Sequence, residues 1–132
     1  MTSKVTYLGD LRTTSVHLQS GTQILSDAPV DNQGKGEAFS PTDNVANALA
    51  TCMFTIMGIK ARDMQIDLNG ATADVTKHMK SDPRMIQKVE VVFSLPALDE
   101  KSRTILERSA LTCPVYLSLH PDIVKDVRFN WG

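Results

Sequence analysis

Residues 40–62, SPTDNVANALATCMFTIMGIKAR, limit what this chain can fold into more than any other stretch. Ser40 can cap a helix, Pro41 suits its first turn, and Asp43 places negative charge at the positive end of the helix dipole. Lys60 and Arg62 place positive charge at the opposite end. Between them Val45, Ala46, Ala48, Leu49, Ala50, Cys52, Met53, Phe54, Ile56, Met57 and Ile59 cover most of a helical wheel, the pattern of a helix buried nearly all round. Asn47, Thr51 and Thr55 form one narrow polar stripe. Cys52 sits mid-helix in line with Val45, Ala48, Leu49, Ile56 and Ile59. Two readings of it compete. It is a core cysteine, the commoner state of that residue, or it is a thiol nucleophile held on a rigid helix.

The chain has 132 residues, enough for one domain, 1–132, with a real core. Its 14 basic and 15 acidic residues leave a net charge of -1, which gives no electrostatic reason to expect nucleic acid or an anionic membrane as a partner. The apolar runs are too short, and too interrupted by Asn and Thr, for a membrane span. The N-terminus lacks an apolar signal core, so the expected location is the cytoplasm. Two cysteines do not make a disulfide scaffold. In a reducing compartment such a pair points to catalysis, redox chemistry or metal binding. Cys52 and Cys113 are far too distant in sequence for a local CxxC motif of the zinc or thioredoxin type.

The rest of the chain supplies an order of elements. Residues 3–9, 11–18 and 22–25 read as three short strands of an antiparallel meander, with Arg12 at the start of the second. Residues 26–39, with Pro29, Gly34 and Gly36, read as a loop leading into the helix, and its GKG is not a Walker motif. Residues 64–80 and 86–95 read as a long hairpin, with His78 a surface residue lacking an evident partner. Residues 98–111 read as a second helix capped by Asp99. Pro114 then opens a short helix with Cys113 as its cap, so backbone N–H groups and the helix dipole would favour a thiolate there. His120 lies too far along that helix to activate Cys113, and 123–131 read as a final strand. Strands, buried helix, hairpin, two helices and strand make an α+β domain.

SPTDNVANALATCMFTIMGIKAR followed by TCPVYLSL resembles the OsmC/Ohr family, the osmotically inducible protein C and organic hydroperoxide resistance proteins. The likeness spans nearly the whole chain. It implies antiparallel sheets packed around a central Cys-bearing helix in an intertwined homodimer, with active sites at the subunit interface. It implies that Cys52 is the peroxidatic thiol and Cys113 the resolving thiol, and that Arg12 matches the arginine supporting the thiolate. The peroxidase branch carries a glutamate directly after the helix-opening proline. Here that place is Thr42, with Asp43 one position on, so the chain looks closer to the wider OsmC-like set. Asp43 or Glu37 would position the guanidinium.

The chemistry implied is thiol-dependent reduction of an organic hydroperoxide. A Cys52 sulfenic acid forms, condenses with Cys113 to a disulfide, and an external thiol or dithiol resets the pair, with no metal or organic cofactor. A mid-helix thiol is remote from the helix N-terminus, and a free thiol with pKa near 8.5 is about 3% ionised at neutral pH, so activation needs a cation such as Arg12. Leu49, Met53 and Ile56 would favour an alkyl hydroperoxide. The alternative is a non-enzymatic binding or redox-sensing domain on the same fold. A Cys–His hydrolase would need one of His17, His78 or His120 beside Cys52, and a metal site would need further ligands, supplied by a dimer.

Overall fold

The computed structural model describes all 132 residues, Met1–Gly132. It is an α+β chain with two three-stranded sheets and three α-helices, and it divides into two compact units, Met1–Val45 and Ala46–Gly132.

The first unit opens with the expected meander. Strands β1 (Ser3–Gly9), β2 (Arg12–His17) and β3 (Gln23–Asp27) pair antiparallel in that order. Asp10 and Leu11 join β1 to β2 with φ of 52° and 62°. Positive φ at both central residues marks the primed turn whose twist matches a hairpin. The alternation of β1 puts Val5 and Tyr7 on one face, and the register adds Ile24 of β3 through Ser15. These three side chains are 61%, 63% and 55% exposed, an apolar face open to solvent in the single chain. Strand β3 runs two residues past the expected end at Leu25, which brings Asp27 into register with Arg12.

Residues 28–36 then fold back on themselves. The N–H of Gly36 donates to the Ala28 carbonyl at 3.2 Å, and that of Gly34 to the Pro29 carbonyl at 2.9 Å. A Cβ on Gly34 would lie 1.8 Å from the Ala28 oxygen, so only glycine allows this closure. The loop ends by delivering Glu37 and Ser40. Helix α1 (Pro41–Asp63) begins here with a reciprocal cap: the N–H of Asp43 donates to Ser40 Oγ at 3.0 Å, and the N–H of Ser40 to Asp43 Oδ2 at 2.9 Å.

In the second unit α1 buries Ala46, Leu49, Ala50, Met53, Met57 and Ala61. The helix is therefore covered on one face, not nearly all round. Thr51, Thr55 and Ile59 are exposed. The apolar wheel exceeds what one chain covers because a single sheet can bury only one side of a helix. The expected strand at 64–68 is irregular chain instead. Gln65 takes φ 57°, the N–H of Asn69 donates to Asp67 Oδ1 at 2.8 Å, and Gly70 takes φ 86°, so local turn chemistry overrides the alternation.

Strands β4 (Thr72–Lys80) and β5 (Met85–Leu95) form the hairpin, and β6 (Val124–Trp131) completes the sheet beside β5. The expectation of purely antiparallel sheets fails here, because β6 runs parallel to β5. A parallel neighbour needs a long crossover, and α2 (Glu100–Ala110) with α3 (Pro114–Ser118) provides it. Register passes from His78↔Lys88 to Met79↔Ile86, leaving Gln87 as the extra residue of a bulge. That bulge shifts the inward alternation from Val89 to Ile86. Ile86, Val89, Val91, Phe93 and Leu95 pack with Leu49, Met53, Met57, Ala110 and Cys113 in one core. Asp99 caps α2 by accepting from the Ser102 N–H at 3.1 Å, and Trp131 Nε1 donates to Glu107 Oε1 at 2.8 Å, tying β6 to α2. No helix is long and apolar enough to cross a membrane.

Candidate active site

In the first unit the chemistry gathers on Arg12. Its Nε and Nη2 donate to Asp27 Oδ1 and Oδ2 at 2.7 and 2.8 Å, and Nη2 also donates to Glu37 Oε2 at 3.0 Å. Cross-strand register creates the first pair, since directly opposed side chains share a face. The guanidinium fork matches both carboxylate oxygens at once. Asp27 is 1% exposed, and its Oδ2 also accepts the Glu37 N–H at 3.1 Å. The adjacent Arg12 guanidinium holds the Asp27 carboxyl below its ordinary range against the opposing effect of burial. The two carboxylates raise the guanidinium's pKa, so Arg12 carries its charge throughout.

Glu37 is one of the two acids expected to position Arg12. The stronger, two-point partner is Asp27, which sequence reasoning passed over as part of the loop. Asp43 makes the reciprocal cap with Ser40, and Thr42 Oγ1 lies 3.2 Å from Ser40 Oγ. The signal for Asp27 was the turn itself. A two-residue Asp10-Leu11 turn fixes where β2 starts, and counting across the meander then sets Asp27 opposite Arg12.

Asp27 sets a pH dependence of stability. Its carboxyl pKa is depressed on folding, so its contribution is complete above the unfolded value of about 3.9 and is lost as pH falls through the folded value. Asp27→Asn is expected to lower the urea midpoint at neutral pH, with the gap from the unmodified protein closing as pH falls below 4. A gap that stays constant to pH 2 would remove this role.

In the second unit the two cysteines share one core. Cys52 is half-buried on α1, and Cys113 is 0% exposed within the core. Cys52 packs against the same hydrophobic cluster that contains Cys113. Cys113 caps α3 as expected, with the Tyr116 N–H donating to its Sγ at 3.2 Å. The expected preference for thiolate is reversed, however. Burial pushes the Cys113 thiol up, the neighbouring Cys52 adds to this, and the N–H groups of Tyr116 and Val115 pull the other way without prevailing. A five-residue helix supplies too little field to offset removal from water.

The histidines are engaged elsewhere. His17 Nδ1 lies 2.6 Å from Ser20 Oγ, and His120 Nδ1 accepts the Asp122 N–H at 3.0 Å. His78 Nε2 makes no hydrogen bond, though it lies 3.3 Å from Glu90 Oε1, a carboxylate that Lys88 contacts at 2.8 Å. No three His, Cys, Asp or Glu side chains converge as a metal site would require.

A family model described as OsmC-like protein matches residues 34–127. A crystal structure from Psychrobacter arcticus 273-4, of a protein named for osmotic stress induction and a detoxification response, is 58% identical. It has a TM-score of 0.96 over 98% of this chain and 96% of that one. An OsmC-like protein from Mycoplasma pneumoniae has a TM-score of 0.80 at 16% identity, over 98% of this chain and 94% of that one. An organic hydroperoxide resistance protein OsmC from Legionella pneumophila has a TM-score of 0.73 at 16% identity, over 98% and 97%. The last two likenesses concern the fold alone. No curated protein sequence matches the chain.

Proposed function

Since the chain belongs to the OsmC-like protein family, we propose that it is a cysteine-based peroxidase for organic hydroperoxides. The observation that supports this reading best is that Cys52 packs against the core that contains Cys113, so two thiols far apart in sequence share one largely apolar surrounding. Cys52 attacks the peroxide as a thiolate and becomes a sulfenic acid; Cys113 condenses with it to a disulfide, and an external thiol or dithiol restores both. Arg12 supports the Cys52 thiolate, held in place by Asp27 and Glu37, with Asp43 setting the start of α1. Apolar neighbours such as Leu49, Met53 and Ile56 suit an alkyl group on the substrate.

Mass spectrometry of the reduced protein after one equivalent of an organic hydroperoxide tests this. A Cys52–Cys113 disulfide is expected, and Cys113→Ser should leave Cys52 as sulfenic acid prone to further oxidation. If no internal link forms, the resolving role fails. If neither thiol is lost to peroxide, the domain is a binder or redox sensor instead.

The working form is a homodimer. Val5, Tyr7 and Ile24 on the first sheet, and Ile59 on the solvent face of α1, are apolar and exposed in one chain. Burying a large side chain contributes about 1.5–3 kcal/mol, so a second copy is a strong cover for them. Sedimentation is expected to give a dimer at micromolar concentration, and a stable monomer there would refute it.

A further inference from the structure

We propose that Arg62 selects the substrate: a cavity along the C-terminal half of α1 takes the chain of a hydroperoxide that ends in a carboxylate, with the carboxylate on Arg62 and the O–O bond at Cys52. This rests on the peroxidase reading and names its substrate class. The cavity follows from how α1 ends. Gln65 takes φ 57°, its N–H donates to the Arg62 carbonyl at 3.1 Å, and the N–H of Ile66 donates to the Ala61 carbonyl at 2.8 Å. That pair of bonds around a left-handed residue is the Schellman stop, which turns the chain back along the helix it leaves. Ile66 and Leu68 then line, with the last turns of α1, a space of about 650 Å³, within the range of small-molecule sites.

The helical side of that space is in line with the thiol. Thr55, Ile59 and Arg62 line it, and they stand three, seven and ten residues after Cys52, which places all four on one face of the helix. At 1.5 Å per residue Arg62 lies about 15 Å beyond Cys52 along the axis. An extended chain of roughly a dozen bonds covers that distance. The walls suit such a chain. Thr55 spends its hydroxyl on the Thr51 carbonyl at 2.8 Å. Ile66 and Leu68 are half-buried and apolar. Ile59 is 53% exposed, surface enough for a bound chain as well as the edge of a second copy.

Charge decides which end of the chain lies where. Arg62 is exposed on the lining, and a guanidinium fork takes both oxygens of a carboxylate. Asp67 is the acid of the lining, and its Oδ1 is engaged by the Asn69 N–H at 2.8 Å. The end of α1 presents carbonyl oxygens and with them partial negative charge. With Arg62 removed, the remaining field repels a carboxylate. The arginine is therefore what makes this cavity accept an acid in preference to a neutral chain.

The test pairs a linoleic acid hydroperoxide, whose O–O group stands about a dozen bonds from its carboxylate, with its methyl ester, the same chain and peroxide without the charge. The unmodified protein is expected to reduce the acid with a kcat/KM about tenfold above that of the ester. Arg62→Gln should erase that ratio, and Arg62→Lys, which keeps the charge and loses the fork, should retain part of it. Arg62 is exposed, so neither variant touches the core. Calorimetry with dodecanoate, which carries no peroxide, reads the carboxylate contact by itself, and Arg62→Gln should weaken its binding about tenfold. Acid and ester reduced equally by the unmodified protein, or slowed by the same factor in Arg62→Gln, would overturn the assignment while leaving the peroxidase reading intact. Dodecanoate held through Arg62 by a protein that reduces no hydroperoxide would overturn the peroxidase reading and leave the carboxylate site standing.

Discussion

Arg12→Ala is expected to slow alkylation of Cys52 at neutral pH by about tenfold or more, with Cys113 replaced in both proteins so that only one thiol reacts. An opposite charge close to an ionising group shifts its equilibrium by roughly one to three pKa units, and one unit corresponds to tenfold in the ionised fraction. Cys52 lies far into α1, where the field of the helix N-terminus has faded. Its support therefore has to come from a side chain elsewhere. In the proposed function that side chain is Arg12. Its guanidinium is restricted by the three hydrogen bonds it donates to two carboxylates, and its charge survives partial burial. The decisive measurement is alkylation rate against pH. A profile unchanged in Arg12→Ala would end the assignment. Asp27→Asn should produce part of the same change, because a guanidinium held by Glu37 alone keeps its charge and loses its two-point anchor.

Phe93→Ala is expected to lower the unfolding free energy by about 3–5 kcal/mol, the usual cost of removing a fully buried phenyl ring. The ring is 0% exposed. It meets Phe54 of α1 edge-on at 4.8 Å and stacks on Phe129 of β6 at 5.3 Å. Such aromatic pairs add about 0.5–1.5 kcal/mol each beyond the area they bury. The ring thus joins the cysteine-bearing helix to the parallel strand pair, and the cavity it leaves has aromatic walls on two sides. Urea unfolding measures the loss. A change under 1 kcal/mol would mean that α1 and β6 close over the space.

Some of this molecule is legible in the sequence alone. Ser40, Pro41 and Asp43 start α1 through local capping, and Pro114 after Cys113 starts α3, because both signals depend on neighbours within one turn. The β1–β2 hairpin, β5 and α2 follow from alternation, turn residues and the Asp99 cap. The OsmC-like membership was also readable, since it rests on the cysteine-bearing helix and the later Cys-Pro start taken together. Other features needed the tertiary structure. The parallel placement of β6 depends on where a two-helix crossover returns the chain, which no local pattern encodes. The covered face of α1 depends on which side meets the sheet, and an apolar wheel is silent on that. The partnership of Arg12 with Asp27 depends on strand register across two turns, where a slip of one residue would have turned Asp27 to the other face. The protonated state of Cys113 depends on burial, which outweighs the capping N–H groups visible in the sequence because removal from water acts on the whole charge while a short helix offers only a few partial ones.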